Sequence, residues 1–287
     1  MAEKKKFIDV RESIRSKNPG LLKLIPKFVL NYIRNTIHED YMNDILERHK
    51  NVNGLEFVDS MVHKEFNINA IVKGFENIDP KKRYIFVANH PWGGMEAATL
   101  LDIIGEKFPE PRFVVNDILM SIKSYHPLFI PVNKHGSQGR ENAQFMDENF
   151  ESDKPILIFP AGLVSRKIKG EVVDLEWKKN FISKAIQHKR EVVPVFIDGR
   201  NSDFFYRFAN FRKAIGIKVN LEMFFLVNEL VKNTNSDLPY YFGKPIPYQK
   251  FDKSKKPQEW ATIVKEHTYA LKGDYKRNFL ENDNLKR

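Results

Sequence analysis

The stretch Tyr84-Ile-Phe-Val-Ala-Asn-His-Pro-Trp-Gly-Gly-Met-Glu96 brings an apolar run, a histidine and a carboxylate together within a short length of chain. The apolar residues predict a buried strand, and the proline and two glycines predict the turn that ends it. A general base needs such a carboxylate nearby, because its imidazole must be held in one tautomer and one direction. The stretch therefore predicts His90 as a base oriented by Glu96, although a histidine after a strand can also be an ordinary loop residue.

Further apolar runs alternate with helical patterns along the chain. Helical spacing occurs at 96–107, 142–150 and 177–188. This alternation is typical of an α/β fold with a mixed, mainly parallel sheet flanked by helices. The predicted strands are 67–72, 83–88, 112–115, 128–132, 156–159 and 192–197.

Several of these predicted strands end in polar or glycine-containing segments. Asn89-His90, Asn133-Lys134 and Pro160-Ala161-Gly162 all follow an apolar run directly. In largely parallel sheets, ligands bind beyond the carboxyl ends of the strands. We therefore expect these segments to meet at one edge of the sheet and to form a site there.

Composition narrows the classes of function. The 287 residues carry a formal net charge of +10 and include no cysteine. The lack of cysteine excludes disulfides, thiolate metal sites and a cysteine nucleophile, and no His/Asp/Glu spacing suggests a metal site. A basic surface could meet nucleic acid, anionic lipid or an acidic protein. Because the basic residues are spread along the chain without a recognition motif, we expect no nucleic-acid partner.

The domain organisation is predicted as an N-terminal helical segment at 1–65, an α/β domain at 66–275 and a charged tail at 276–287. The first residues lack the apolar core of a signal peptide, so we expect no export. No run of about 18 apolar residues occurs, so we expect no transmembrane helix.

Two amphipathic stretches leave alternatives open. Residues 21–38 have apolar residues at helical spacing with Lys23, Lys27 and Arg34 among them. Such a helix can lie in a membrane interface or pack its apolar face on the domain. The aromatic stretch 204–211 could belong to the core, to an acyl tunnel or to a bilayer-facing surface.

Four blocks within 84–246, taken in order, resemble the glycerolipid acyltransferase (PlsC-like) family. The first block of that family reads Asn-His-x-x-x-x-Asp. This chain has Asn89-His90, but Met95 occupies the position of the Asp and Glu96 follows one residue later. The second and fourth blocks are similar to the segments 127–134 and 192–197.

The third block departs most from the family pattern. It is usually Phe-Pro-Glu-Gly-Thr-Arg-Ser, and here it is Phe159-Pro-Ala-Gly-Leu-Val-Ser-Arg166. In the family, the Glu and the Arg are associated with the glycerol phosphate acceptor. Ala161 cannot hydrogen-bond through its side chain, whereas Arg166 could grip a carboxylate or phosphate, or be a solvated loop arginine. The loss of the Glu therefore implies an acceptor other than lysophosphatidic acid.

A subgroup of this family that carries the hemolysin label and acts in aminolipid pathways is more similar. It resembles this chain in the Asn-His-Pro-x-Gly-Gly-x-[Asp/Glu] opening, in Phe-Pro-Ala-Gly-x-x-Ser-Arg and in the stretch 198–206. Its members acylate the hydroxyl of an N-(3-hydroxyacyl) amino acid, which gives ornithine or glycine lipids. Two alternatives stay open: a 1-acyl-sn-glycerol-3-phosphate acyltransferase, and a lipid-binding protein that has lost catalysis.

The resemblance implies that His90 takes the proton of an acceptor hydroxyl while Glu96 stabilises the imidazolium. The donor would be an acyl thioester on acyl carrier protein or coenzyme A, with no bound cofactor, and the acidic carrier protein would suit the basic chain. We expect a peripheral enzyme at the cytoplasmic face of a bacterial inner membrane. The predicted substrate-binding residues are Asn89, Gly93, Gly94, Lys134, Arg140, Ala161, Gly162, Ser165, Arg166 and Arg200.

Overall fold

The computed structural model describes residues 6–17, 19–116, 120, 122–132 and 139–279. Its strands are β1 (Asn69–Lys73), β2 (Tyr84–Ala88), β3 (Arg112–Val115), β4 (Phe129–Pro131), β5 (Ile156–Ile158), β6 (Arg166–Ile168), β7 (Glu171–Val173), β8 (Glu191–Ile197) and β9 (Asp237–Phe242). Seven of them form one sheet in the order β1-β9-β8-β2-β5-β3-β4, and β6 pairs with β7 in an antiparallel hairpin. Every neighbouring pair in the large sheet is parallel except β8 and β9. The predicted α/β class with a mixed, mainly parallel sheet is confirmed.

Helices precede the sheet and connect its strands. The α-helices are α1 (Val10–Lys17), α2 (Pro19–Leu24), α3 (Lys27–Thr36), α4 (Glu39–Arg48), α5 (Gly54–Asp59), α6 (Met95–Gly105), α7 (Gly139–Glu151), α8 (Asn180–His188), α9 (Asp203–Ala214), α10 (Leu226–Lys232) and α11 (Pro257–Ala270). A π-helix (Ser60–Glu65) continues α5, and 3₁₀ turns occupy Phe75–Asn77, Lys123–Leu128, Leu221–Phe225 and Tyr248–Lys250. Among the described residues, no helix is both long and apolar enough to span a bilayer.

All six predicted strands are present, but the sequence interpretation missed β9 and the hairpin of β6 and β7. Strand β9 contains Pro239, which has no N–H to donate and therefore weakens the strand signal. The Pro239 carbonyl still takes part in backbone hydrogen bonding, because it accepts from the Asp198 amide at 2.9 Å. The hairpin strands are three residues long each, too short for a clear alternation of apolar and polar residues.

Contacts divide the described chain into two units. The first contains 6–52 and 201–234, and the second contains 53–200 and 235–279. The predicted segments 1–65 and 66–275 stay a prediction, but the contacts group the excursion 201–234 with the N-terminal helices. Residues 280–287 of the predicted tail lie outside the described part of the chain.

A buried carboxylate ties the N-terminal helices together within the first unit. Glu39, at the start of α4, accepts hydrogen bonds from Lys6 Nζ at 2.7 Å, Arg34 Nε at 3.0 Å and the Val10 amide at 3.0 Å. Burial raises the pKa of Glu39, but the hydrogen bonds from Lys6, Val10 and Arg34 outweigh that effect and lower the pKa below its ordinary value. The ionised carboxylate therefore links α1, α3 and α4.

The second unit places the end of β2 in the middle of its sheet. Strand β2 lies between β8 and β5, with Ala88 opposite Val195. All five residues of β2 are buried, because helices cover the sheet and the strand has neighbours on both sides. The large side chains of the surrounding core include Trp177, Phe181 and Trp260. The residue that follows Ala88 is therefore held by a rigid frame.

Candidate active site

His90 follows β2 by one residue and contacts the predicted partner. Its Nδ1 lies 2.8 Å from Glu96 Oε1, and its ring stacks on Phe159 with 4.5 Å between the ring centroids. The His90 side chain is 17% exposed, so a substrate can reach it. Among the described residues, Nε2 of His90 has no hydrogen-bond partner. The predicted contact between His90 and Glu96 is thus present, with Nε2 left for a substrate.

The Glu96 carboxylate is fully buried in a cradle of backbone amides. Trp92 N and Gly93 N donate to Oε1 at 2.9 and 2.7 Å, and Gly94 N donates to Oε2 at 2.7 Å. Burial raises the pKa of Glu96, but the charge and hydrogen bond of His90 and these amides lower it below its ordinary value of 4.5. An ionised Glu96 accepts the Nδ1 proton, which leaves a lone pair on Nε2.

The two glycines explain how Glu96 reaches His90, although it comes one residue later in the sequence than the Asp that is usual in the resembling family. Gly93 has φ of 101°, a conformation that side-chain-bearing residues rarely adopt. This conformation curls the turn so that successive N–H groups point at one carboxylate. The role of Gly93 and Gly94 in the turn is observed. Close passage of a thioester over these two glycines stays a prediction.

Asn89 joins β2 to β8 through its side chain. Its Nδ2 donates to the Ile197 carbonyl at 2.9 Å, and the Ile197 amide donates to Oδ1 at 2.7 Å. The Asn89 side chain thereby continues the pairing of the two strands beyond their last backbone partners, and it positions the following residue, His90. Both polar atoms of Asn89 are engaged within the protein, so a substrate contact for this side chain stays a prediction.

The third block wraps around the histidine from the carboxyl end of β5. Ala161 is buried, and Gly162 completes a turn with φ of 64° in which its amide donates to the Phe159 carbonyl. Arg166 is only 9% exposed, and its Nη1 donates to the Val164 carbonyl at 2.9 Å. The alternative that Arg166 is a solvated loop arginine is therefore wrong, because its guanidinium is buried. A substrate contact for Arg166 stays a prediction.

The sequence interpretation missed the partners of Ser165. This side chain is buried, and its hydroxyl donates to Asp174 Oδ1 at 2.5 Å. Asp174 follows β7 and is 2% exposed. The signal that could have drawn attention to Asp174 is a carboxylate that interrupts the apolar run Val172-Val173 before Leu175. Phe159 belongs to the third block, and only the fold places its ring against that of His90.

The remaining predicted basic residues are less closely defined. Arg200 is exposed and lies three residues after β8. Arg140 belongs to α7. Lys134 lies outside the described residues. Substrate binding by these three residues stays a prediction.

One group of side chains in the described part of the chain has metal-ligand spacing. Ligand atoms of Asp59, His63 and Asp102 lie within 4.8 Å of one another. His63 Nε2 is 2.7 Å from Asp102 Oδ2, and Lys64 Nζ is 3.4 Å from Asp59 Oδ2. These contacts account for the group without an ion, and it contains no residue of the site around His90.

Comparison with known proteins places this geometry in a family. A family model described as acyltransferase matches residues 12–277. The chain is 44% identical over 267 residues to a lyso-glycine lipid O-acyltransferase of Bacteroides thetaiotaomicron, covering 92% of this chain and 97% of the relative. It is 42% identical over 267 residues to a lyso-glycine lipid O-acyltransferase of Phocaeicola vulgatus, covering 92% and 95%.

A solved structure is also similar. It is the crystal structure of the 1-acyl-sn-glycerophosphate acyltransferase PlsC of Thermotoga maritima, with a TM-score of 0.48 and 17% identity over 86% of this chain and 95% of that chain. The family model spans nearly the whole chain, and two relatives exceed 40% identity over most of their length. This protein therefore belongs to the acyltransferase family and is an acyltransferase of lipids.

Proposed function

We propose that the protein transfers a fatty acyl group from an acyl thioester to the free hydroxyl of an N-(3-hydroxyacyl) amino acid, and that the amino acid is glycine. The observation that carries the proposal is the pairing of His90 with Glu96, which leaves Nε2 of a partly exposed histidine unpartnered among the described residues. The two relatives named as lyso-glycine lipid O-acyltransferases support the choice of acceptor.

The proposed reaction is a proton-assisted attack on the thioester. Nε2 of His90 accepts the proton of the acceptor hydroxyl as its oxygen attacks the thioester carbonyl carbon. The tetrahedral intermediate collapses with cleavage of the carbon–sulfur bond, and the imidazolium returns the proton to the departing thiolate. One ester bond forms and one thioester bond breaks. Glu96 keeps its negative charge throughout and stabilises the imidazolium.

The third block suits an acceptor that carries a carboxylate and no glycerol phosphate. Ala161 stands where the resembling family usually has Glu, so a hydrogen-bonding group for a glycerol phosphate is lost. Arg166 is retained, and it directly follows Ser165, whose amide donates to the His90 carbonyl at 2.8 Å. A guanidinium is well suited to a carboxylate, so we assign Arg166 the headgroup of the acceptor.

The donor and the place of the reaction follow from charge and exposure. A net charge of +10 suits an acidic acyl carrier protein as the thioester carrier, which we propose as the donor. Helix α3 has no buried residue, and Leu24, Phe28 and Tyr32 are 80%, 74% and 60% exposed. We therefore propose a peripheral enzyme on the cytoplasmic face of the inner membrane, with this helical segment in contact with lipid.

The acceptor can be tested with purified protein, acyl carrier protein thioester and two acceptors, followed by mass spectrometry of the lipid products. We expect kcat/KM for N-(3-hydroxyacyl)glycine to exceed that for 1-acylglycerol 3-phosphate by at least about tenfold, because the two headgroups differ in a charged group that the site must bind. Equal or higher turnover of the phosphate acceptor would contradict the proposed acceptor. Binding of both lipids without turnover would show a lipid-binding protein instead.

A further inference from the structure

Helix α9 has two apolar faces: one is buried, and the other is largely exposed, with Phe204 and Phe208 packed against Phe225. The buried face consists of Phe205, Tyr206 and Ala209. The opposite face repeats at i, i+4, i+7 and i+11, which is one stripe along a helix. Three of its members are well exposed: Phe204 at 49%, Phe211 at 61% and Ile215 at 54%; the fourth, Phe208, is partly buried.

The exposed apolar surface continues beyond the helix. Ile217, Val219 and Phe224 are 39%, 66% and 56% exposed. Among the described residues, eleven of the seventeen exposed large hydrophobic side chains belong to the unit of 6–52 and 201–234, although this unit is the smaller one. Such a concentration of exposed apolar side chains indicates an interaction surface.

The exposed charged side chains that follow Asp203 along this segment are all basic. Residues 204–221 contain no Asp or Glu, and Arg207, Lys213 and Lys218 are exposed. Arg212 is buried instead, where its Nε donates to Glu222 Oε2 at 2.6 Å. Exposed aromatic and aliphatic side chains interspersed with basic residues are typical of a helix that lies in the surface of an anionic bilayer.

We propose that the segment 203–225 is a second bilayer-contacting element for anionic membranes, in addition to the N-terminal helices of the proposed function. Its occupant is an anionic lipid surface and not a second copy of this chain. Across a two-fold interface the same basic residues would face one another and repel. The element deepens the proposed peripheral location and does not depend on which lipid is the acceptor.

Binding of the purified full chain to vesicles tests this element without substrates. The variant combines Phe211→Asp with Val219→Asp, two exposed positions whose replacement leaves the core intact. The control combines Phe145→Asp with Ile186→Asp, which are 42% and 41% exposed on helices of the other unit. Co-flotation is measured with phosphatidylcholine vesicles that contain phosphatidylglycerol and with pure phosphatidylcholine vesicles.

We expect the wild-type chain and the control to bind the vesicles with phosphatidylglycerol more strongly than the pure phosphatidylcholine vesicles. Added salt should weaken the binding to the anionic vesicles. The 203–225 variant should lose at least about tenfold in apparent affinity while its melting temperature stays that of the wild type. Wild-type affinity in this variant would overturn the proposal. So would a wild-type dimer that the variant dissociates, because the surface would then be covered by a second copy.

A separate observation concerns the backbone of His90. Asp174 Oδ1 accepts hydrogen bonds from Ser165 Oγ at 2.5 Å and from the His90 amide at 3.2 Å. Its other oxygen, Oδ2, accepts from Trp177 Nε1 at 2.8 Å. The buried carboxylate thus joins the histidine to the two segments that flank the hairpin of β6 and β7.

The carbonyl of His90 is hydrogen-bonded as well as its amide. Ser165 N donates to the His90 carbonyl at 2.8 Å, so both peptide groups of His90 are held. Asp174 is itself fixed, because its amide donates to the Tyr269 hydroxyl oxygen at 2.7 Å. Glu96 orients the imidazole, whereas Asp174 and Ser165 fix the main chain that carries it.

We infer that Asp174 is a positioning residue for His90, an inference that rests on the proposed catalytic role of the histidine. Each of the three groups that Asp174 binds is a donor, so a carboxylate satisfies all of them. Asp174→Asn would turn an N–H₂ group toward at least one donor. Ser165→Ala removes one link without adding a donor, and it serves as a second variant should Asp174→Asn fold poorly.

Steady-state kinetics of acyl transfer test the positioning role, together with melting temperatures. We expect both variants to lower kcat by about tenfold or more while KM for each substrate stays within about twofold, because a shifted base impairs the chemical step. The downfield Nδ1 proton resonance of His90 should also move. Asp252→Asn, which removes a loop carboxylate bound to Ser254, is the matched control.

The positioning role would be overturned if both variants had the same kcat per folded molecule as the control. An unchanged His90 resonance would do the same, since a variant that only loses stability leaves the environment of His90 in the folded molecules as it was. If His90→Ala itself retained full activity, the failure would lie in the proposed reaction on which this inference rests.

Discussion

Replacement of His90 by alanine should lower kcat/KM for acyl transfer by about 10²–10⁴-fold, the usual contribution of a positioned general base. Nε2 has no hydrogen-bond partner in the described part of the chain, and Nδ1 of the same ring is bound to a carboxylate, so loss of the ring removes the acceptor for the hydroxyl proton. The change is measured with saturating thioester and a range of acceptor concentrations. A fall in kcat without a rise in KM would identify an effect on the reaction and not on binding.

The matched control for His90→Ala is His63→Ala. His63 is 52% exposed, belongs to the same unit and pairs with Asp102, which is not a residue of the site. We expect the control to keep wild-type kinetics. Activity of His90→Ala within a few-fold of the wild type, with an unchanged circular dichroism spectrum, would rule out His90 as the base.

Replacement of Glu96 by glutamine should have the second largest effect, a loss of about 10²-fold in kcat. The carboxylate accepts from four donors, namely the Nδ1 of His90 and three backbone amides. A glutamine has one oxygen, and its N–H₂ group would face donors. The imidazole would then lose its tautomer and its direction, so Nε2 would no longer be held as the base.

The same substitution should destabilise the fold by about 1–3 kcal/mol, because buried amides lose their acceptor. The loss should depend on pH in a defined direction. The pKa of Glu96 is lower in the folded protein than its ordinary value of 4.5. Its ionised form therefore stabilises the native state above about pH 4.5, and this stability is lost as the pH falls through the lower folded pKa.

Urea denaturation at several pH values measures this effect, with Glu106→Gln as the control at the exposed end of the same helix. The stability difference between the wild type and Glu96→Gln should be largest near neutral pH and should shrink in acid. A difference that grows as the pH falls would mean that Glu96 is protonated in the native state. An unchanged kcat would show that another group orients His90.

Six of the strands and the mainly parallel class of the sheet were predictable, because buried parallel strands appear as apolar runs with helical patterns between them. The position of β9 was not. Its strand signal is interrupted by Pro239, and its place between β1 and β8 depends on pairing with residues more than 150 positions away for β1. The grouping of 201–234 with the N-terminal helices likewise depends on contacts between segments that are distant in sequence.

Some features of the site were likewise predictable from the sequence, and others were not. The contact between His90 and Glu96 was predictable, because both residues belong to one strand–turn–helix unit. The cradle of amides around Glu96 was not, since it requires the conformation of Gly93. The role of Asp174 was hidden as well, because the residue lies 84 positions from His90 along the chain.

The sequence by itself determined the pairing of His90 with Glu96 and the class of fold, because these depend on local order: a strand end, a tight turn and a helix start. Only the tertiary structure decided what holds that histidine and where the apolar surface lies. Asn89 is bound to β8, the His90 backbone is bound to Asp174 and Ser165, and the outer stripe of α9 stays largely exposed. Each of these facts joins segments that are far apart along the chain, and no local pattern records which distant segments will pack together.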